Sequence, residues 1–237
     1  MEKLLIKGGN ILKGEISCSG AKNAALPMIA ATILNDEEII FRNLPYLQDI
    51  TTMFELLGSM GANISLDESM DFSICANKLT DLEARYELVK TMRASILVLG
   101  PMVTKYGYAK IALPGGCAIG SRPVNFHLDA LKKLGASISL ENGYIEAKAD
   151  RLIGADIVFD GITVTGTENI MMAACLAKGK TTLRNVAMEP EVSDLADFLN
   201  LMGAKIKGAG SELIEIEGVE CLNSTTYTIP ADRIEAG

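Results

Sequence analysis

Cys117 stands in the segment Leu113-Pro114-Gly115-Gly116-Cys117-Ala118-Ile119-Gly120-Ser121-Arg122, where three glycines surround one thiol. Such a segment carries the thiol on a flexible tip. It then runs straight into a helical pattern carrying Leu128, Leu131 and Leu134. A helix N-terminus and a nearby Arg depress a thiol pKa and attract anions, which makes Cys117 a candidate acid, base or nucleophile. The alternative is a small buried hydrophobe, the usual fate of a free Cys. That is the reading for Cys18, Cys75, Cys175 and Cys221, whereas the glycine-rich setting favours chemistry at Cys117.

Cations supply the other half of the pattern. Ser19-Gly20-Ala21-Lys22-Asn23 sets Lys22 and Asn23 at the start of an apolar helix over 24–34. The positive end of the helix dipole disfavours a Lys there, and an anionic ligand would relieve the conflict. A solvated Lys, costing roughly a few tenths of a kcal/mol, is the alternative. In Val89-Lys90-Thr91-Met92-Arg93-Ala94-Ser95-Ile96, Arg93 opens a second apolar helix. It either meets a carboxylate or phosphate or sits at a solvated helix start. His127 is the only histidine, a ligand contact or a satisfied half-buried ring. The glycine-rich stretches lack the Lys-Ser/Thr ending of a P-loop, and no Gly-x-Ser-x-Gly motif anchors a hydrolase triad.

The elements that position these residues repeat. Phe54–Ile64, Leu131–Ile138 and Phe198–Ile206 each read as an amphipathic helix, a Gly and a strand, with Gly61, Gly135 and Gly203 at the helix ends. Upstream, Ile39-Ile40-Phe41-Arg42-Asn43 corresponds to Thr181-Thr182-Leu183-Arg184-Asn185, and each Asn lies 18 residues before its Gly. Every unit is expected to run helix, strand, helix, strand pair, with period-2 alternation in Ser137–Glu141 and Leu213–Glu217 and a tight turn at Asn142-Gly143. Three such α/β units can bury their helices together and turn their sheets outward. The middle unit carries a longer loop, by about three residues on repeat alignment. That loop holds Cys117, and an elaborated copy is where function is expected.

Composition bounds the rest. With 49% hydrophobic residues, 5% aromatics and no Trp, the chain of 237 residues supports a large aliphatic core. A net charge of -8 disfavours nucleic acid and membrane surfaces as partners, and no apolar run approaches the ~20 residues of a membrane span. The apolar run at the N-terminus is too short for a signal peptide. Five widely spaced cysteines without a Cys-x-x-Cys pair fit neither a disulfide framework nor a zinc site, so a reducing cytoplasm is expected.

Gly20-Ala21-Lys22-Asn23-Ala24, Thr91-Met92-Arg93-Ala94-Ser95, Leu113–Pro123 and Pro230-Ala231-Asp232-Arg233-Ile234-Glu235-Ala236-Gly237 together resemble, in order and along the whole chain, the signature segments of the UDP-N-acetylglucosamine 1-carboxyvinyltransferases. The resemblance implies an inside-out α/β barrel of two domains, each of three repeated units. Residues 1–21 would then be an edge segment of a second domain, 22–230 the three-repeat domain with the catalytic loop, and 231–237 the crossover back. The implied reaction moves the enolpyruvyl group of phosphoenolpyruvate to the 3-hydroxyl of UDP-N-acetylglucosamine, with no cofactor and no metal. Lys22, Asn23 and Arg122 would contact phosphoenolpyruvate. Asn23, Arg93, Arg122, Pro123, Val124, Asn125 and Phe126 would hold the sugar nucleotide, with Gly161, Ile162, Thr163, Val164 and His127 as further contacts. Cys117 would be the proton donor, and the site that fosfomycin alkylates. The family pattern has Asp and Leu where Asn125 and Phe126 stand, a Lys in some members at Gly161, and a Trp in some at Leu97. The family's aspartate base and several arginines belong to the second domain, so this polypeptide alone is expected to turn over little or nothing. The related shikimate-pathway transferase lacks the Pro-Gly-Gly-Cys loop. A non-catalytic nucleotide-sugar binder would need neither Lys22 nor Cys117.

Overall fold

The computed structural model describes residues 3–9, 11, 13–113 and 124–237. Its first unit runs α1 (Lys22–Ala31), a 3-10 turn (Thr32–Leu34), β1 (Ile39–Arg42), α2 (Gln48–Met60), β2 (Asn63–Leu66) and β3 (Phe72–Cys75). The second runs β4 (Glu83–Ala84), α3 (Tyr86–Val89), a 3-10 segment (Arg93–Val98), α4 (Leu99–Tyr106), β5 (Tyr108–Ala112), α5 (Asn125–Lys133), β6 (Ser137–Glu141) and β7 (Tyr144–Lys148). The third runs β8 (Asp156–Val158), α6 (Val164–Ala174), β9 (Lys180–Arg184), α7 (Pro190–Leu201), β10 (Lys205–Lys207) and β11 (Leu213–Glu217). β12 (Thr226–Thr228) and α8 (Arg233–Ala236) follow.

Among the described residues three four-stranded sheets result, ordered β12-β1-β3-β2, β4-β5-β7-β6 and β8-β9-β11-β10. The expected unit is present with one addition. A short strand pairs in parallel with the first long strand of every unit: β12 on β1, β4 on β5 and β8 on β9. These strands of two or three residues are too short to show a period of two, which is why the pattern of the chain did not reveal them. Parallel neighbours need a crossover, and α3–α4 and α6 supply it in the second and third units. In the first unit the parallel strand comes from the far end of the chain, with Ile40 opposite Thr226 and Arg42 opposite Thr228.

The repeat marks correspond residue by residue. Gly61, Gly135 and Gly203 have φ of 109°, 97° and 102°, the left-handed conformation expected after a helix. Asn43 and Asn185 are left-handed too, at 58° and 56°. Each side chain donates to a carbonyl just beyond the short parallel strand, Asn43 to Ile229 at 2.9 Å and Asn185 to Phe159 at 2.8 Å. The turn between β6 and β7 is Asn142-Gly143 with both φ positive, the geometry that fits the twist of a hairpin. Strand register puts Leu113 where Asn43 and Asn185 stand, 22 residues before Gly135 rather than 18. The middle loop is therefore four residues longer than its counterparts.

The helices lie inside. Ala24 to Ala31 of α1 and Gly166 to Ala174 of α6 are all buried, as are Leu99 to Val103 of α4. Small residues allow this close approach. A Cβ on Gly100 would lie 2.3 Å from Oδ1 of Asn169 on α6. The sheets turn one face outward, and β9, β11 and β7 alternate buried and exposed positions. Phe198 of α7 joins the third unit to the first sheet, with ring centroids 5.4 Å from Phe41 and 5.3 Å from Tyr227. Ahead of α1, Leu4, Leu5, Ile6, Ile11 and Ile16 are exposed. At the base of that segment Gly20 bridges Ala231, and the Asp232 N–H donates to the Ser19 carbonyl at 2.8 Å.

Candidate active site

The first turns of α1, α2, α5, α6 and the 3-10 segment at Arg93 come together at one end of the helical core. They surround a cavity of about 600 Å³ lined by Lys22, Asn23, Leu26, Asp49, Met92, Arg93, Ala94, Phe126, His127, Ile162, Thr163, Val164 and Thr165. Eight of the residues singled out from the sequence thus meet at one site although up to 142 positions separate them along the chain. Helix N-termini offer unpaired N–H groups and positive potential, and two cations add to it, so the cavity suits an anion. Thr163 caps α6 by accepting from the Gly166 N–H at 3.2 Å. Among the described residues the other four N-termini carry no side-chain cap.

Lys22 does not resolve its unfavourable place at a helix start by solvation. Its Nζ lies 2.7 Å from Oδ2 of Asp49 in the first turn of α2, both side chains being 35% exposed. At that exposure the pair contributes at most about 1 kcal/mol to the fold. Arg93 opens a 3-10 segment rather than an α-helix. Its charge reaches His127, whose ring is 3% exposed and accepts from Asn169 at 3.0 Å. Burial, and second the Arg93 charge, lower the His127 pKa to about 4, so the ring is neutral at physiological pH. His127 is thus fully rather than half buried.

Phe126 and Gly161 are neighbours. A Cβ on Gly161 would lie 3.0 Å from the Phe126 ring, so the aromatic occupies the space where a longer side chain would begin. Val124 packs half-buried against the core and Asn125 is exposed, and neither is among the cavity-lining residues described. Cys117, Arg122 and Pro123 lie outside the described residues. Of the remaining cysteines only Cys175 is buried, its thiol pushed up to about 12 by burial; Cys18 and Cys75 are partly exposed and Cys221 exposed, which corrects the uniform expectation of burial.

Leu26, Asp49, Met92 and Ala94 line the cavity without having been anticipated. An acidic residue in a helix's first turn is ordinary dipole matching, so Asp49 gives no separate signal in the sequence. A second hollow of about 420 Å³ lies on the outer face of the third sheet, among Lys180, Lys205, Lys207, Glu215 and Glu217. Its opposite charges stand across from one another on paired strands, as in Lys205–Glu217 and Lys207–Glu215, and it gathers none of the candidate residues. The helical end of the core is the site.

Residues 6–237 match the sequence profile of the family described as EPSP synthase (3-phosphoshikimate 1-carboxyvinyltransferase). Over its full length the chain is 57% identical to a UDP-N-acetylglucosamine 1-carboxyvinyltransferase of Magnetococcus marinus and 55% identical to one of Hydrogenovibrio crunogenus, covering 57% of each. A protein of the same name from Coxiella burnetii is 56% identical, with 55% of its length covered. The chain thus spans little more than half the length of these curated relatives. Among solved structures, the enolpyruvyl transferase NikO from Streptomyces tendae superposes with a TM-score of 0.81 at 25% identity, over 97% of this chain and 54% of that one. EPSP synthase from Acinetobacter baumannii shares the fold at a TM-score of 0.72 and 17% identity, over 92% of this chain and 50% of that one. The three-unit fold, with its helices inside and sheets outside, is accordingly the enolpyruvyl transferase fold, and the chain belongs to the EPSP synthase (3-phosphoshikimate 1-carboxyvinyltransferase) family.

Proposed function

We propose that this chain supplies one wall of an active site that transfers the enolpyruvyl group of phosphoenolpyruvate to the 3-hydroxyl of UDP-N-acetylglucosamine, in the cytoplasm, at the start of peptidoglycan precursor synthesis. The observation that carries the reading is the cavity itself, where Lys22 and Arg93 converge with five helix N-termini in a chain over half identical to proteins bearing that name. In this reading Lys22, Asn23 and Arg122 hold the phosphate and carboxylate of phosphoenolpyruvate. Asn23, Arg93, Arg122, Pro123, Val124, Asn125 and Phe126 hold the sugar nucleotide, with Gly161, Ile162, Thr163, Val164 and His127 along its path. The sugar hydroxyl gives its proton to the aspartate base of the second domain as its oxygen bonds to C2 of phosphoenolpyruvate, while Cys117 gives a proton to the methylene carbon. Phosphate then leaves as a proton departs from the same carbon, and the enol ether forms. The cations stabilise charge that grows on the phosphate and carboxylate, and a positioned acid supplies the proton.

Residues 1–21 and 231–237 belong, in the same proposal, to a second domain that completes the site. The exposed apolar side chains at Leu4, Leu5, Ile6, Ile11 and Ile16 support this, since such a run needs a partner surface. The shikimate-pathway reaction, after which the family is described, is disfavoured by the Pro-Gly-Gly-Cys segment.

Intact-mass measurement after fosfomycin treatment, with and without UDP-N-acetylglucosamine, tests the proposal on this chain and on Cys117→Ala. One adduct is expected on the wild-type chain, promoted by the sugar nucleotide and lost in the variant. Without a complementing second domain, turnover is expected to be negligible. An adduct that persists in Cys117→Ala would remove the role assigned to that thiol.

A further inference from the structure

At the inner wall of the cavity runs a series of hydrogen bonds whose direction follows from the backbone alone. Asn169 of α6 is fully buried. Its Oδ1 accepts from the Gly100 backbone N–H at 2.6 Å, and its Nδ2 donates to the Ile96 backbone carbonyl at 2.8 Å. A backbone N–H only donates and a carbonyl only accepts, so these two bonds fix which way the amide faces. Nδ2 has one hydrogen left, and Nδ1 of His127 lies 3.0 Å from it. Nδ1 must therefore accept, and in a neutral ring the proton then sits on Nε2. Nε2 faces Oγ1 of Thr165 at 3.4 Å, and Thr165 lines the cavity. A hydroxyl that accepts from Nε2–H keeps its own hydrogen for whatever occupies the cavity. Gly100 belongs to the arrangement, because any side chain there would collide with the Asn169 oxygen.

We propose that Asn169 is a positioning residue that locks His127 as its Nε2–H tautomer, so that His127 and Thr165 present a donor edge to a phosphate oxygen held near Lys22 and Arg93. The ligand side of this inference rests on the reading of the cavity as a substrate site. The tautomer does not. The opposite tautomer would set Nδ1–H against the Asn169 N–H and turn a lone pair toward the anion. Burial and the Arg93 charge keep the ring neutral, so the two tautomers are the alternatives that matter near neutral pH.

The chain has one histidine, so long-range proton–nitrogen NMR of the 15N-labelled protein at pH 7 reports on His127 without assignment. The wild-type chain is expected to show an unprotonated Nδ1 and a protonated Nε2, and the reverse would overturn the proposal. Asn169→Asp puts an acceptor where the donor was. It is expected to switch the proton to Nδ1 and to weaken UDP-N-acetylglucosamine, measured by calorimetry, about tenfold, the scale of one hydrogen bond. A switched tautomer with unchanged affinity would overturn the donor edge. Thr165→Val is expected to weaken binding while the ring keeps its Nε2–H form, a readout that stands even where Asn169→Asp does not fold. If the wild-type chain binds no UDP-N-acetylglucosamine even when a complementing second domain is supplied, the enolpyruvyl reading fails, and the tautomer still decides the role of Asn169.

Discussion

At the scale of single residues, a carboxylate of the chain itself takes the place of an anionic ligand at Lys22. Lys22 is held by Asp49 at 2.7 Å, so an incoming anion must compete with a carboxylate for the same ammonium group. Asp49→Asn removes the competitor and one negative charge from the cavity wall. Inorganic phosphate, titrated by calorimetry, is therefore expected to bind several-fold tighter to the variant, with the gain shrinking as salt is raised. Equal affinity in the two proteins would show that Asp49 does not restrain Lys22. The residues that could be read from the sequence are those whose type conflicts with their local setting, such as a Lys at a helix start or an Arg opening an apolar run. Asp49 agrees with its setting and stayed silent, because an acid in a first turn is ordinary.

At the scale of elements, the repeated glycines were legible because a helix ending in a left-handed residue selects Gly wherever it occurs. Their substitution costs should nevertheless differ. A Cβ at Gly135 meets nothing within 4 Å, so Gly135→Ala carries only the backbone strain of φ 97°, about 1 kcal/mol. A Cβ at Gly61 would lie 2.9 Å from the Thr80 hydroxyl and 3.1 Å from backbone, so Gly61→Ala should cost clearly more. Denaturant unfolding of both variants checks the order, and equal losses would mean that the crowding at Gly61 relaxes freely. The pairing of the sheets was legible only in part. Alternation predicts a strand but not its neighbour, and the parallel strands β4, β8 and β12 are held by register and by capping groups such as Asn185, not by a pattern of their own.

At the scale of the whole molecule, two buried groups pull the pH dependence of stability in opposite directions. His127 has its pKa lowered from 6.5 to about 4. The unfolded chain therefore takes up the proton first, and up to about 3 kcal/mol of stability is lost as pH falls through that window. Glu168 of α6 is fully buried, and burial, with Glu191 and then Glu189 nearby, raises its pKa well above 4.5. Its folded form keeps a proton that the unfolded chain has released, so its contribution is present below 4.5 and is lost as pH rises. Between about pH 4.5 and 6.5 the two slopes oppose each other. Glu168→Gln should expose the His127 slope, up to about 1.4 kcal/mol per pH unit on acidification. Unfolding free energies that run parallel in wild type and variant across this range would sink the assignment. The joining of first and last elements has a further consequence, for the newborn polypeptide. β1 is made 186 residues before the strand that completes its edge, since Ile40 pairs with Thr226 and Arg42 with Thr228. At a synthesis rate of ~5–20 residues per second, β1 waits about 10–40 s with its parallel edge open. For that interval a leaving ribosome exposes an unpaired strand beside apolar α1. Chaperone demand during translation should accordingly peak late, and fall when residues 226–228 emerge.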